Sequence, residues 1–154
     1  FLEPGHALSH EHVVFAEREG VVVGMSLAYT GLQHRGFSDE PLKRAAGRSA
    51  LRMKLVRIFL APLWSVLDTV EEGDFYLHGI AVEPALRGEG VGSLLMDDAE
   101  ARGRTAGSTR LALDVSVKNM GARKLYGRRG MVESWEWPDS WAVPTVLVRM
   151  TKQL

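Results

Sequence analysis

The sequence contains no cysteine. This removes disulfides, thiolate nucleophiles and cysteine-based zinc sites, and it suits a reducing cytoplasm, where we expect the protein to work. Charge of one sign is not in excess either. Nineteen Lys and Arg balance 19 Asp and Glu, so no general field draws the chain toward nucleic acid or an anionic membrane, and neither partner is expected. Long apolar runs are also missing: Ile58–Leu67 is interrupted by Pro62 and reaches about half of the roughly 20 residues a membrane helix needs. Phe1–His12 has no basic start followed by an apolar stretch, so no secretory signal is read there. The chain opens at Phe1 without a methionine, which favours loss of residues upstream.

What is present describes an ordinary globular protein. With 154 residues, 45% of them apolar, the chain fits one domain over residues 1–154 around one core, and one site is sought. Val13–Glu17 and Val21–Tyr29 are β-branched and apolar, and Arg18-Glu19-Gly20 between them predicts a hairpin turn. From Ser38 or Asp39 the spacing of Leu42, Ala45, Ala46, Met53, Val56, Phe59 and Leu63 predicts one or two helices, weakened at Gly47 and interrupted at Pro62. Phe75–Val82 reads as a strand ended by Glu83-Pro84, because proline cannot donate to a ladder.

Beyond Pro84 a helix is expected from Val91, with Leu94, Leu95 and Ala99 on one face and a stop at Gly103 or Gly107. Arg110–Val117 sets Leu111, Leu113 and Val115 against Ala112, Asp114 and Ser116, which is strand alternation. A helix follows from Asn119 to Arg129, closed by Gly130, and then strands over Met131–Trp137 and Thr145–Thr151. Hairpins mixed with strand-helix-strand units point to an α+β fold.

Chemistry concentrates in Arg87-Gly88-Glu89-Gly90-Val91-Gly92, which lies between a predicted strand and a predicted helix. Exposed N–H groups and the helix dipole make such a turn an anion site, and Arg87 adds a cation able to grip a phosphate. Two commoner phosphate motifs do not fit. A dinucleotide fingerprint starting at Gly88 needs glycine where Ser93 stands, and no Gly-Lys-Ser/Thr closes a P-loop.

The segment resembles the signature of the GNAT acetyltransferases, in which Arg or Gln, two residues, Gly, one residue and Gly or Ala follow the central strand; here these are Arg87, Gly90 and Gly92. Asn119, Ala122, Leu125, Tyr126 and Gly130-Met131 resemble a second family pattern, with Met131 replacing its aromatic residue. The resemblance covers about Phe75–Val132. It implies one GNAT-like domain: a twisted mixed sheet flanked by helices and splayed between Phe75–Val82 and Arg110–Val117, with a helical insert at Ser38–Val70. It further implies a coenzyme A site built from Ile80, Ala81, Val82, Arg87, Gly88, Glu89, Gly90, Val91, Gly92, Ser93, Asn119, Ala122 and Tyr126.

The implied function is transfer of an acyl group, acetyl in the first place, from acetyl-CoA to a primary amine on a small molecule, peptide or protein. By resemblance Tyr126 is the acid that protonates the leaving thiolate, and its plain alternative is packing on the sheet. Backbone N–H groups near Gly79–Val82 would meet the oxyanion. Asn119 would hold the coenzyme, cap its helix, or both. His78 is the candidate base, against a structural role, with Asp114, Glu83 and a water chain left open. A non-catalytic acyl-CoA-binding module is the rival function.

His6, His10 and His12 are read as an incidental cluster in a flexible terminus, so no metal is expected. The basic side of Leu42–Arg57 reads as a solvated outer face or a wall of the acceptor site. Trp135, Trp137 and Trp141 are candidates for that site, for a homodimer contact, or for packing on the sheet.

Overall fold

The computed structural model describes residues 2–38, 40–41, 44, 69–138 and 144–154. Six strands form one sheet in the order β1-β2-β3-β4-β6-β5: β1 Val13–Arg18, β2 Val21–Thr30, β3 Asp74–Val82, β4 Arg110–Ser116, β5 Val132–Trp137 and β6 Leu147–Gln153. All neighbours are antiparallel except β3 and β4. Among the described residues, α-helices include α1 Gly31–Arg35, α2 Val91–Thr105 and α3 Met120–Arg128. The mixed sheet with helices agrees with the expected α+β architecture. Most of the helical insert expected at Ser38–Val70, and Trp141 with it, lies outside the described residues.

Local chemistry explains the element ends. Glu19 and Gly20 take positive φ values of 53° and 77°, which closes the β1–β2 hairpin with the hand that matches strand twist. The short α1 was not anticipated. Five residues carry too little periodicity to be seen, and a capping box sets it instead: the Thr30 hydroxyl accepts from Gln33 N–H while the Gln33 side chain accepts from Thr30 N–H. Asn119 caps α3 by accepting from Ala122 N–H at 3.1 Å.

Alternation divides the sheet into two faces. Phe75, Leu77, Leu111, Leu113, Val115, Val148 and Met150 pack under Met96 and Ala99 of α2 and Tyr126 of α3. The opposite face gathers Leu27, Tyr29, Tyr76 and Ala112 beneath Ala7, Phe37 and Val70. On α2 the buried positions are Val91, Leu95, Met96, Ala99, Glu100 and Gly103, whereas Leu94 is exposed. Leu94 therefore does not belong to the buried stripe, because a 100° step turns it away from the one that Val91 and Leu95 define.

The N-terminal segment also departs from expectation. His6 and His12 are 2% and 7% exposed, so they belong to a packed segment and not to a loose tail. The Nδ1 of His6 accepts from Leu8 N–H, and the His12 ring packs edge-on against Tyr29 and beside Phe37.

Candidate active site

β3 and β4 are paired at only three positions, Asp74↔Arg110, Phe75↔Leu111 and Tyr76↔Ala112. Beyond Tyr76 the strands part, while β3 stays on β2 through Val82 and β4 stays on β6 through Ser116. The sheet is thus forked, as expected for these two strands. Backbone groups along the inner edges of the fork lack the partner they would have in a closed ladder.

Their directions follow from the β2–β3 pairing. Glu83 N–H donates to Val23 C=O at 2.9 Å, so position 83 faces β2. Residues of an antiparallel strand alternate, and the N–H groups of Val82 and Ile80 therefore point into the fork, with Ala81 turned toward β2. At the base of the fork the register slips: Leu27 is opposite Gly79 and Ala28 opposite Leu77, which leaves His78 in a β-bulge. Such a bulge re-aims a side chain. His78 accordingly lies exposed on the face away from α2 and α3, beside the rings of Tyr29 and Tyr76, with Tyr29 Oη 3.5 Å from its Nδ1. Desolvation lowers its pKa below the usual histidine value, reinforced by His34 and opposed by the negative charge of Asp114.

The mouth of the fork is the turn between β3 and α2. Gly88 and Gly90 have φ of 90° and 92°, a region that side chains with a Cβ rarely adopt, and a Cβ built at either would meet nothing within 4 Å. Open space lies over the turn. Gly90 occupies the N-cap of α2 without a side-chain cap, so the first N–H groups of this 15-residue helix, at Val91, Gly92 and Ser93, donate to no capping side chain. Arg87 is exposed and, among the described residues, has no carboxylate partner. Glu89, by contrast, is paired: the guanidinium of Arg18 on β1 donates to its carboxylate at 2.8 Å. Both residues line a shallow cleft of about 240 Å³ with Ala16, Val23 and Leu94.

Tyr126 rises from α3 into the core on the helix face of the sheet, 7% exposed. Burial pushes its phenol pKa up, so the hydroxyl keeps its proton at neutral pH. Ala122, one turn before it, is half-buried, and Asn119 is exposed with its side-chain oxygen used by the cap, which leaves the NH₂ group to reach outward. Tyr126 and His78 therefore belong to opposite faces, with the fork between them.

Two candidate bases are placed elsewhere. Glu83 is exposed beyond the end of β3. Asp114 is engaged on both oxygens: Arg149 donates from Nε at 2.8 Å and from its second terminal nitrogen at 2.7 Å, and Tyr76 donates at 2.9 Å. Both carboxylate oxygens are thus committed to hydrogen bonds within the fold. This network and the Arg18–Glu89 pair escaped the sequence reading. The available signal was an Asp and an Arg each set among apolar residues of a strand.

The acetyltransferase (GNAT) family model matches residues 2–131. No curated protein matches the chain. Among solved structures, it is similar to a protein described only as an acetyltransferase, at 23% identity and a TM-score of 0.65, over 97% of this chain and 73% of that one. The ribosomal-protein-S18-alanine N-acetyltransferase of Escherichia coli aligns at 15% identity and a TM-score of 0.56, over 94% of this chain and 71% of that one. Ard1 of Thermoplasma volcanium aligns at 18% identity and a TM-score of 0.60, again over 94% and 71%. At these identities the likeness is one of fold.

Proposed function

Because the chain belongs to the acetyltransferase (GNAT) family, we propose that it is an N-acetyltransferase carrying an acetyl group from acetyl-CoA to a primary amine. The observation that carries this reading is the uncapped, glycine-lined N-terminus of α2 at the mouth of the fork. A pyrophosphate would suit this place: backbone N–H groups converge, the helix dipole favours negative charge, and a Cβ at Gly88 or Gly90 meets nothing within 4 Å among the described residues. Arg87 supplies a cation beside it. Leu86–Ser93 would hold the pyrophosphate, Ile80–Val82 the acyl end, and Asn119 and Ala122 the flank nearest α3.

When bound, acetyl-CoA supplies a thioester open to attack by an amine. The N–H groups of Ile80 and Val82 are aimed to meet negative charge developing on the thioester oxygen, and they cost no reorganisation because the fork already leaves them without a ladder partner. Tyr126, held protonated by burial, donates to the departing sulfur. His78 takes the proton of the incoming amine from the opposite face. Its lowered pKa keeps the imidazole neutral at pH 7, as a proton acceptor must be.

Calorimetric titration with acetyl-CoA and, separately, with NAD and ATP tests the reading. Selective acetyl-CoA binding is expected, followed by thiol release on addition of an amine. Gly90→Asp should weaken acetyl-CoA binding roughly a thousandfold, since a carboxylate about 4 Å from a phosphate costs about 4 kcal/mol at an effective dielectric of about 20. Binding without turnover for any amine would instead leave an acyl-CoA-binding module. Absence of coenzyme binding would reduce Arg87–Gly92 to a structural turn.

A further inference from the structure

The fork has a stitch at its apex. The β3–β4 ladder ends at Tyr76↔Ala112, and just past that point the Tyr76 phenol crosses from β3 to donate to Asp114 Oδ2 of β4 at 2.9 Å. Asp114 is in turn gripped from the other side by Arg149, its direct partner on β6, through two bonds of 2.8 and 2.7 Å. Arg149 closes the circuit by donating to the carbonyl oxygen of Thr69, five residues before β3, and to its hydroxyl at 3.0 Å. The guanidinium also lies over the Tyr76 ring, 5.9 Å from its centroid.

The arrangement is buried: the Asp114 and Arg149 side chains are 3% and 10% exposed, and Tyr76 is 3% exposed. Burying an ion pair gains little stability over apolar packing, so the fold has no evident need of charge here. What the network does that apolar packing cannot is fix a distance. A hydroxyl-carboxylate bond and a two-pronged guanidinium-carboxylate pair have narrow geometric optima, whereas apolar contacts slide. The distance fixed is the spacing of β3 from β4 where they begin to part. Two residues further along β3 is His78, four further is Ile80, and both inherit their position from this hinge point.

We propose that Tyr76, Asp114 and Arg149 are positioning residues that set the opening of the fork, and thereby the approach of an amine beside His78 to a thioester held against Ile80 and Val82. The inference rests on the acyl-transfer reading. It assigns the three residues no contact with either substrate. Reaction rates respond steeply to misplacement, and an error of about 1 Å can cost about a hundredfold. The pyrophosphate turn, at the far end of β3, would feel little of it.

Tyr76→Phe is the test, because it removes the hydroxyl and keeps the ring. Acetyl-CoA affinity by calorimetry and the kcat and KM for an amine are measured for this variant and the unaltered chain. The affinity for 3′,5′-ADP, which carries the phosphates without the acyl arm, is measured as well. The expected result is a kcat lowered about tenfold to a hundredfold, an acetyl-CoA affinity weakened about threefold, and unchanged 3′,5′-ADP affinity. A second variant, Asp114→Asn, should show the same pattern more strongly. Unchanged kcat and acetyl-CoA affinity in Tyr76→Phe would overturn the inference while leaving acyl transfer intact. So would a kcat loss that disappears when the assay is run well below the melting temperature, since that would be lost fold and not lost position. An unaltered chain that binds neither ligand would remove the acyl-transfer reading and this inference with it.

Discussion

Tyr126 has two properties that suit a proton donor and one that suits a core residue. Its phenol is held protonated by burial, and among the described residues no hydrogen bond secures its hydroxyl, yet its ring packs among Leu113, Val115 and Met131. Tyr126→Phe separates the roles, because it keeps the ring. We expect kcat to fall about a hundredfold or more with acetyl-CoA affinity and melting temperature nearly unchanged, measured by thiol release, calorimetry and thermal unfolding. An equal kcat would make Tyr126 a packing residue. At this scale the sequence was uneven as a guide. Arg87, Gly90 and Gly92 stand within six consecutive residues, so their proximity was legible directly. The network of Tyr76, Asp114 and Arg149 draws on three strands, and only the β4–β6 register brings Asp114 opposite Arg149.

Elements were legible where one periodicity dominated. The alternation of Leu111, Leu113 and Val115 gave β4 its faces before any partner was known. Periodicity alone places Leu94 on the α2 stripe, yet that leucine lines the cleft beside the turn between β3 and α2 and not the core. The same cleft shows the β1–β2 hairpin coupled to the turn. Glu89 carries the same sign of charge as the proposed ligand, and Arg18 draws it toward β1. Arg18→Ala should therefore weaken acetyl-CoA binding several-fold at low salt, with the effect fading as ionic strength shortens the Debye length to about 8 Å near 0.15 M. Adding Glu89→Gln should restore it. A loss that persists in the double variant, read by calorimetry, would mean that Arg18 touches the ligand itself.

For the whole molecule, two partly desolvated histidines tie stability to pH. His12 and His78 both titrate below the ordinary value of 6.5 in the fold, in each case chiefly through desolvation. The unfolded chain therefore binds protons at a pH where the folded one does not, and stability rises with pH across that interval. It is complete above about 6.5 and is lost as pH falls through the folded values. The melting temperature should drop between pH 7 and pH 5, and His12→Phe should flatten that drop; a slope unchanged by the substitution would place the titration elsewhere. The strand order has a different consequence, one of timing. β6 lies between β4 and β5, although it is the last of the six to be synthesised. On a ribosome β1, β2 and β3 can pair as they emerge, but β5 must wait without a neighbour until Leu147–Gln153 arrives to join it to the sheet. Trp135, 39% exposed even in the finished sheet, is uncovered through that interval, so the nascent chain is most vulnerable to association just before its synthesis passes β6.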